Sequence, residues 1–157
     1  MPLKIGDAMP ELEGATTWIN GSLEDIREQI TGKPTLVHFW SVSCGICKDK
    51  MPQLNEIKKK YGTLGLQTIA VHMPRYEADT DLDIVYEVMN AHEIDEPTAV
   101  DSLHRLKDAF QNEQGWVPVY YLFDTTGKLK TRAAGEFGLG VLQSALDRMF
   151  VAETVAA

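Results

Sequence analysis

The chain of 157 residues contains two cysteines, Cys44 and Cys47, which are separated by only two residues. They follow the apolar stretch "PTLVHFW", so Cys44 is predicted to lie where a buried strand ends and a helix begins. The free N–H groups and positive dipole end of a helix N-terminus stabilise a thiolate. In C-x-x-C motifs at such positions, the pKa of the first thiol falls from about 8.5 to between roughly 3.5 and 7.5. The spacing therefore indicates dithiol–disulfide chemistry, with Cys44 as the attacking thiol and Cys47 as the resolving thiol.

A C-x-x-C pair can also supply half of a zinc site or two inert buried side chains. Zinc prefers four ligands, and a structural site generally shows a second ligand pair at metal spacing. Three of the four histidines, His72, His92 and His104, are scattered along the chain without such spacing. We therefore predict no metal and no other cofactor, and we interpret these histidines as structural or solvated.

The composition limits the classes of partner. A length of 157 residues with 44% hydrophobic content predicts one domain, residues 1–157, that can bury its own core. The formal net charge of -8 disfavours binding to nucleic acid or to an anionic membrane. The first residues, "MPLKIGDAMPELEG", lack the apolar region of a signal peptide, and no stretch approaches the roughly 20 apolar residues of a membrane span. We expect a cytoplasmic location, where thiols are mostly reduced.

Apolar patterning and turn residues predict strands that alternate with helices, which indicates an α/β fold with helices on both faces of a central sheet. The predicted strands are "TTWI", "PTLVHFW", "LQTIAVHM", "TAVDS" and a hairpin made of "VPVYYLFD" and "LKTRAAG". The predicted helices are "SLEDIREQI", Gly45–Tyr61, about Asp81–His92, Leu103–Gln111 and about Gly138–Val151, the last with an apolar stripe of Leu139, Leu142, Leu146 and Met149.

The stretch "FWSVSCGICK" resembles the active-site motif F-W-x-x-x-C-x-x-C-K of the thioredoxin superfamily. Pro52 matches the proline inside the helix that follows this motif in the superfamily. The stretch "GWVPVYYLFDTTGKL" is similar to the strand and hairpin that carry the superfamily's cis-proline, which makes Pro118 the candidate. Gly135 matches the glycine after the last strand.

About thirty residues, roughly 73–102, add a helix and a strand where plain thioredoxin has a short connection. This insertion and the N-terminal extension resemble the TlpA/ResA-like branch. The resemblance implies a thioredoxin-like fold with a central mixed β-sheet flanked by helices, an N-terminal extension and an inserted helix–strand element.

The resemblance also implies a thiol-disulfide oxidoreductase that works through a mixed disulfide. Its expected partners are a disulfide-containing protein or small-thiol substrate and a dithiol reductant, and a monomer is expected. The implied substrate groove is formed by Trp40, Ile46, Val117, Pro118 and Phe137. Core packing is an equally acceptable interpretation of Trp40.

Several residues depart from the patterns of related proteins. Ser43 and Ile46 stand where thioredoxin has tryptophan and proline, and Lys50 stands where ResA-like proteins have a glutamate. A peroxiredoxin needs P-x-x-x-[TS]-x-x-C, and Val37 occupies the proline position. Thiol peroxidase activity and a redox-sensitive binding module without turnover remain as alternatives to the oxidoreductase.

His38 lies six residues before Cys44. Strand alternation places Leu36, His38 and Trp40 on one face, and Trp40 faces the active site by resemblance. Thioredoxins usually carry an aspartate at this place, which helps to move the proton of the second cysteine. We predict that a neutral His38 accepts the proton of Cys47, and the alternative is a structural histidine with a hydrogen-bonded ring.

Overall fold

A computed structural model of the protein describes residues 2–156, and the side chains of residues 2–151. The strands are β1 Thr17–Ile19, β2 Thr35–Trp40, β3 Gln67–His72, β4 Thr98–Val100, β5 Val119–Phe123 and β6 Leu129–Ala134. The helices are α1 Leu23–Ile30, α2 Gly45–Gly62, α3 Leu82–Ala91, α4 Arg105–Ala109 and α5 Gly138–Ala156, with a short 3₁₀ helix at Glu77–Thr80.

The strands form one mixed sheet in the order β1-β4-β3-β2-β5-β6. The central strands β2, β3 and β4 run parallel, whereas β1, β5 and β6 pair antiparallel to their neighbours. Every residue of β2 is buried, because helices cover both faces of the sheet at its centre. The predicted α/β architecture with a central mixed sheet flanked by helices is confirmed.

The alternating residues of β2 divide between two apolar clusters. Val37 and Phe39 pack with side chains of α1, α4 and the N-terminal segment. Leu36 and Trp40 pack on the opposite face with side chains of α2, α3 and α5, and this cluster contains both cysteines. The alternation that was predicted for "PTLVHFW" is therefore present, and it places the redox motif on the face of α2 and α5.

Some element boundaries differ from the sequence predictions. Helix α4 spans only Arg105–Ala109, because His104 adopts a left-handed backbone with φ 57° and Asp101 accepts the N–H groups of Leu106 and Lys107. On α5, Phe150 is buried while Met149 is only half-buried, so the apolar stripe ends one residue later than predicted. Residues 73–102 contain the 3₁₀ helix, α3 and β4.

Candidate active site

The two cysteines lie at the N-terminus of α2. Cys44 is the N-cap residue, Cys47 lies in the first turn, and the two form a disulfide. The backbone N–H of Cys47 donates to Sγ of Cys44 at 3.1 Å, and both side chains are buried, with 3% and 2% of their surface exposed. The sulfur of Cys44 therefore accepts a hydrogen bond from an N–H group at the N-terminus of a helix. After reduction, this hydrogen bond stabilises the thiolate of Cys44.

His38 lies on the sheet face that carries the cysteines. It is in register with Ala70 on β3 and Tyr120 on β5, which both belong to the apolar cluster that contains Cys44 and Cys47. Its side chain is only 1% exposed, and its Nε2 lies 2.6 Å from Oε2 of Glu96. The structure therefore gives His38 a buried hydrogen-bond partner, whereas its role as a base stays a prediction.

Glu96 and Lys58 extend this contact into a group of three side chains, in which His38 and Glu96 are buried and Lys58 is partly exposed. Nζ of Lys58 lies 2.6 Å from Oε1 of Glu96, so the two carboxylate oxygens bind different partners. Burial alone would raise the pKa of Glu96. The hydrogen bond from His38, the attraction to His38 when its ring is protonated, and the charge and hydrogen bond of Lys58 outweigh this effect and lower the pKa of Glu96 to about 2. Sequence reasoning missed both residues, since Glu96 is 58 positions from His38 and 38 from Lys58.

Asp79, in the inserted segment 73–102, forms hydrogen bonds with the loop that precedes Cys44. Its Oδ2 accepts the hydroxyl protons of Ser41 at 3.0 Å and Ser43 at 2.7 Å, and the backbone N–H groups of Arg75 at 2.9 Å and Tyr76 at 3.2 Å. The side chain is only 4% exposed. Burial would raise the pKa of Asp79, but these four hydrogen bonds lower it below its ordinary value.

His72, the last residue of β3, contacts the loop that precedes Cys44. Its Nε2 accepts the N–H of Val42 at 3.3 Å, and its ring packs edge-on against Trp40 with 4.8 Å between centroids. The side chain has no exposed surface, and this burial lowers the pKa of His72 to about 4 despite the opposing charge of Asp79. His72 is therefore a neutral structural group next to the active site. The parallel pairing of Trp40 with His72 could have indicated this contact.

The other two histidines lie outside this cluster. Nε2 of His104 lies 2.7 Å from the carbonyl oxygen of Pro74, and the backbone carbonyl of half-buried His92 accepts a hydrogen bond from Asn55. The structural interpretation suits both.

The predicted groove residues have very different exposures. Ile46 is 43% exposed and Phe137 82%, while Trp40 is only 1% exposed and packs in the core. The peptide bond between Val117 and Pro118 is cis, and Val117 packs against the cluster that contains the cysteines. The substrate contacts predicted for these residues stay predictions, and for Trp40 the interpretation as core packing matches its burial.

Two unpredicted contacts shape the loops beside Pro118. Asn112, 1% exposed, binds the backbone of Trp116 through both its side-chain oxygen and nitrogen. The N–H of Gly135 donates to the carbonyl of Pro118 at 2.9 Å, which joins the loop that carries Phe137 to the cis-proline segment. Trp116, half-exposed, is a further apolar side chain at this edge.

Among the residues that the structure describes, no cluster of three or more histidine, cysteine or acidic side chains is arranged to hold a metal ion. Within the same residues, no helix has the length and apolar character needed to cross a membrane.

Comparison with known proteins gives consistent similarities. The sequence matches the Redoxin family over residues 4–147. Thiol-disulfide oxidoreductase YkuV of Bacillus subtilis (strain 168) is 48% identical over 153 residues, covering 97% of this chain and 99% of that protein. Thiol-disulfide oxidoreductase ResA of Bacillus thuringiensis (strain Al Hakam) is 26% identical over 134 residues, covering 85% of this chain and 72% of that protein. The solution structure of a thioredoxin-like protein in the oxidized form aligns with a TM-score of 0.83 and 46% identity, covering 95% of this chain and 98% of that one. The thioredoxin-like fold predicted from the sequence is confirmed.

Proposed function

Because this chain belongs to the Redoxin family and is a thiol-disulfide oxidoreductase, we propose that it reduces disulfides with Cys44 as attacker and Cys47 as resolver. The observation that carries this proposal is the disulfide between Cys44 and Cys47, in which the backbone N–H of Cys47 at the helix N-terminus donates to the sulfur of Cys44. This hydrogen bond favours the thiolate at Cys44.

The reaction starts from the reduced enzyme. The Cys44 thiolate attacks one sulfur of a substrate disulfide, a new S–S bond forms, and the other substrate sulfur leaves as a thiolate that takes up a proton. Cys47 then loses its proton and attacks Sγ of Cys44, which releases the second substrate thiol and leaves the enzyme disulfide. An external dithiol returns two electrons and two protons to the pair.

His38 is proposed to accept the proton that Cys47 loses in the second step. Its position on the face of β2 that packs with the cysteine cluster supports this role. Nε2 of His38 contacts the carboxylate of Glu96, so Nδ1 is the ring nitrogen proposed to accept the proton of Cys47.

The substrate surface is proposed to surround Cys44. Ile46 and Phe137 expose apolar side chains, and exposed apolar side chains are suited to protein contacts. Val117 precedes β5 and can offer its backbone to an extended substrate segment, as in strand addition. The buried Trp40 packs against His72, which in turn binds the backbone of Val42 in the loop before Cys44.

We further propose that the enzyme is a monomer in the cytoplasm and that electrons flow from a dithiol reductant to a protein or small-thiol disulfide. Both reactive thiols belong to one chain, so the cycle needs no second copy. A reduction potential below roughly -220 mV suits a reductase in that compartment, whereas a potential near -120 mV suits an oxidant.

An insulin-reduction assay with a dithiol donor tests the proposed function. We expect turnover well above the rate of free dithiol, and none in a Cys44→Ser variant. A rate equal to that of free dithiol would favour a redox-sensitive binding module. Turnover of hydrogen peroxide that exceeds turnover of disulfides would favour the thiol peroxidase.

A further inference from the structure

The guanidinium of Arg75 contacts the residue directly before the attacking cysteine. Its Nη2 donates to the carbonyl oxygen of Ser43 at 2.6 Å, and its Nε donates to Oγ of Ser43 at 3.2 Å. Arg75 lies between β3 and the 3₁₀ helix, within the residues that resemble an insertion. The inserted segment therefore contacts the residue that directly precedes Cys44.

Two further contacts of Arg75 accompany its hydrogen bonds to Ser43. Its backbone N–H donates to the buried carboxylate of Asp79 at 2.9 Å, and Asp79 also binds the hydroxyl of Ser43. The guanidinium carbon lies 5.6 Å from the ring centroid of Tyr76, within the range of a cation–π contact. Because the buried carboxylate of Asp79 also binds the Ser43 hydroxyl, the residue that accepts both hydrogen bonds of Arg75 is held in place.

A guanidinium is permanently charged, so Arg75 places a full positive charge one peptide unit from Cys44. The negative charge of Asp79 lies beside it and opposes its effect on the thiolate. Removal of the Arg75 side chain would withdraw this positive charge, while Asp79 would keep its hydrogen bonds next to the active-site loop. The loss of the positive charge disfavours the Cys44 thiolate.

We propose that Arg75 is a positioning residue for Cys44: it fixes the Ser43 carbonyl and supplies a charge that favours the attacking thiolate. This inference rests on the proposed attack by Cys44. The charged and titratable groups of the segments around Cys44 are His38, Lys48, Asp49, Lys50, His72, Arg75, Asp79, Tyr120 and Glu136. Only Arg75 changes in the test, so a difference between variants reports on this residue.

The test is the rate of Cys44 alkylation by iodoacetamide against pH, measured on full-length reduced protein that carries Cys47→Ser. For Arg75→Ala we expect about a three- to tenfold lower rate near neutral pH, with a titration midpoint at higher pH. Arg75→Lys retains the charge and should recover most of this loss. The deficit should shrink at high salt, because Arg75 is exposed. Arg148→Ala is the matched control, because it removes another exposed arginine side chain. Arg148 lies on α5, and its neighbours include Asp124 and Lys130.

A titration of Arg75→Ala that coincides with that of the Arg75-containing protein would overturn the proposal. So would an equal deficit in Arg75→Lys and Arg75→Ala that salt does not change, because it would indicate loop packing alone. Should Arg75→Ala fail to fold, Arg75→Lys and Arg75→Gln provide the same comparison of charge. Alkylation needs no turnover, so a failure of the proposed function in the insulin assay is distinguishable from a failure of this inference.

Discussion

Nε2 of His38 and Oε2 of Glu96 lie 2.6 Å apart in the interior of the protein, on side chains that are 1% and 6% exposed. The contact requires a proton on Nε2 if the carboxylate is ionised. Lys58 binds the other carboxylate oxygen, so the charge of Glu96 has a cationic partner whether His38 is neutral or protonated. A neutral His38 with a fixed tautomer is the arrangement that a base toward Cys47 needs.

The first prediction concerns His38→Ala. We expect this substitution to slow the resolution of the mixed disulfide by about a hundredfold or more, because general-base assistance is lost, while the first attack by Cys44 is nearly unchanged. Stopped-flow kinetics separates the two steps. If the rates of attack and of resolution are both unchanged and only the melting temperature falls, His38 has a structural role alone.

The second prediction concerns the buried carboxylate of Glu96. Its pKa is lowered from 4.5 to about 2 in the folded protein, so its ionised form stabilises the fold above pH 4.5. As pH falls from about 4.5 through about 2, wild type should lose up to roughly 3 kcal/mol that Glu96→Gln does not lose. At neutral pH the variant should be less stable by about 3 kcal/mol, since a buried pair is broken.

Urea unfolding of both proteins across pH 2–5 measures this difference. Glu28→Gln, which changes an exposed carboxylate on α1, is the control. Parallel stability curves for wild type and Glu96→Gln would contradict the second prediction.

The third prediction concerns His72. Its pKa is lowered from 6.5 to about 4, so the unfolded chain binds more protons than the folded protein between these two values. Stability should therefore fall as pH falls from about 6.5 to about 4, by up to roughly 3 kcal/mol. His72→Gln lacks this titration and should show a flatter profile over that window. An identical slope in wild type and variant would indicate that His72 remains unprotonated in both states or protonates equally in both.

The fourth prediction concerns substrate contact. Phe137 is 82% exposed, so Phe137→Ser should change the free energy of unfolding little. If this side chain binds protein substrates, KM for insulin should rise by about three- to tenfold while the rate with a small disulfide is retained. Val151→Ser, a change at another exposed apolar residue, serves as the control. Unchanged KM for insulin would remove Phe137 from the proposed surface.

Local patterns were sufficient to predict the strands around the active site. The apolar run "PTLVHFW" predicted β2, its alternation placed His38 on the face of Trp40, and the resemblance to the thioredoxin superfamily indicated that this face carries the cysteines. The helix predicted over Gly45–Tyr61 is α2, which ends one residue later, at Gly62. These features depend on residues close together in the chain, where propensity and periodicity decide the structure.

The partners of the site could not be predicted in the same way. The contact of Glu96 with His38, and that of Asp79 with Ser41 and Ser43, depend on how the inserted segment folds back across the sheet. A lone acidic residue gives no sequence signal that separates a buried partner from a solvated side chain. The shortened α4 has a similar cause, because a buried Asp101 determines where the helix begins.

The central claim is that Cys44 attacks and Cys47 resolves, and trapping of the mixed disulfide tests it most directly. Reduced Cys47→Ser and Cys44→Ser proteins are each incubated with a disulfide substrate, and the products are identified by intact mass spectrometry under non-reducing conditions. The account predicts a stable substrate adduct on Cys44 in the Cys47→Ser protein and little adduct in the Cys44→Ser protein. A stable adduct that forms preferentially on Cys47 would contradict it.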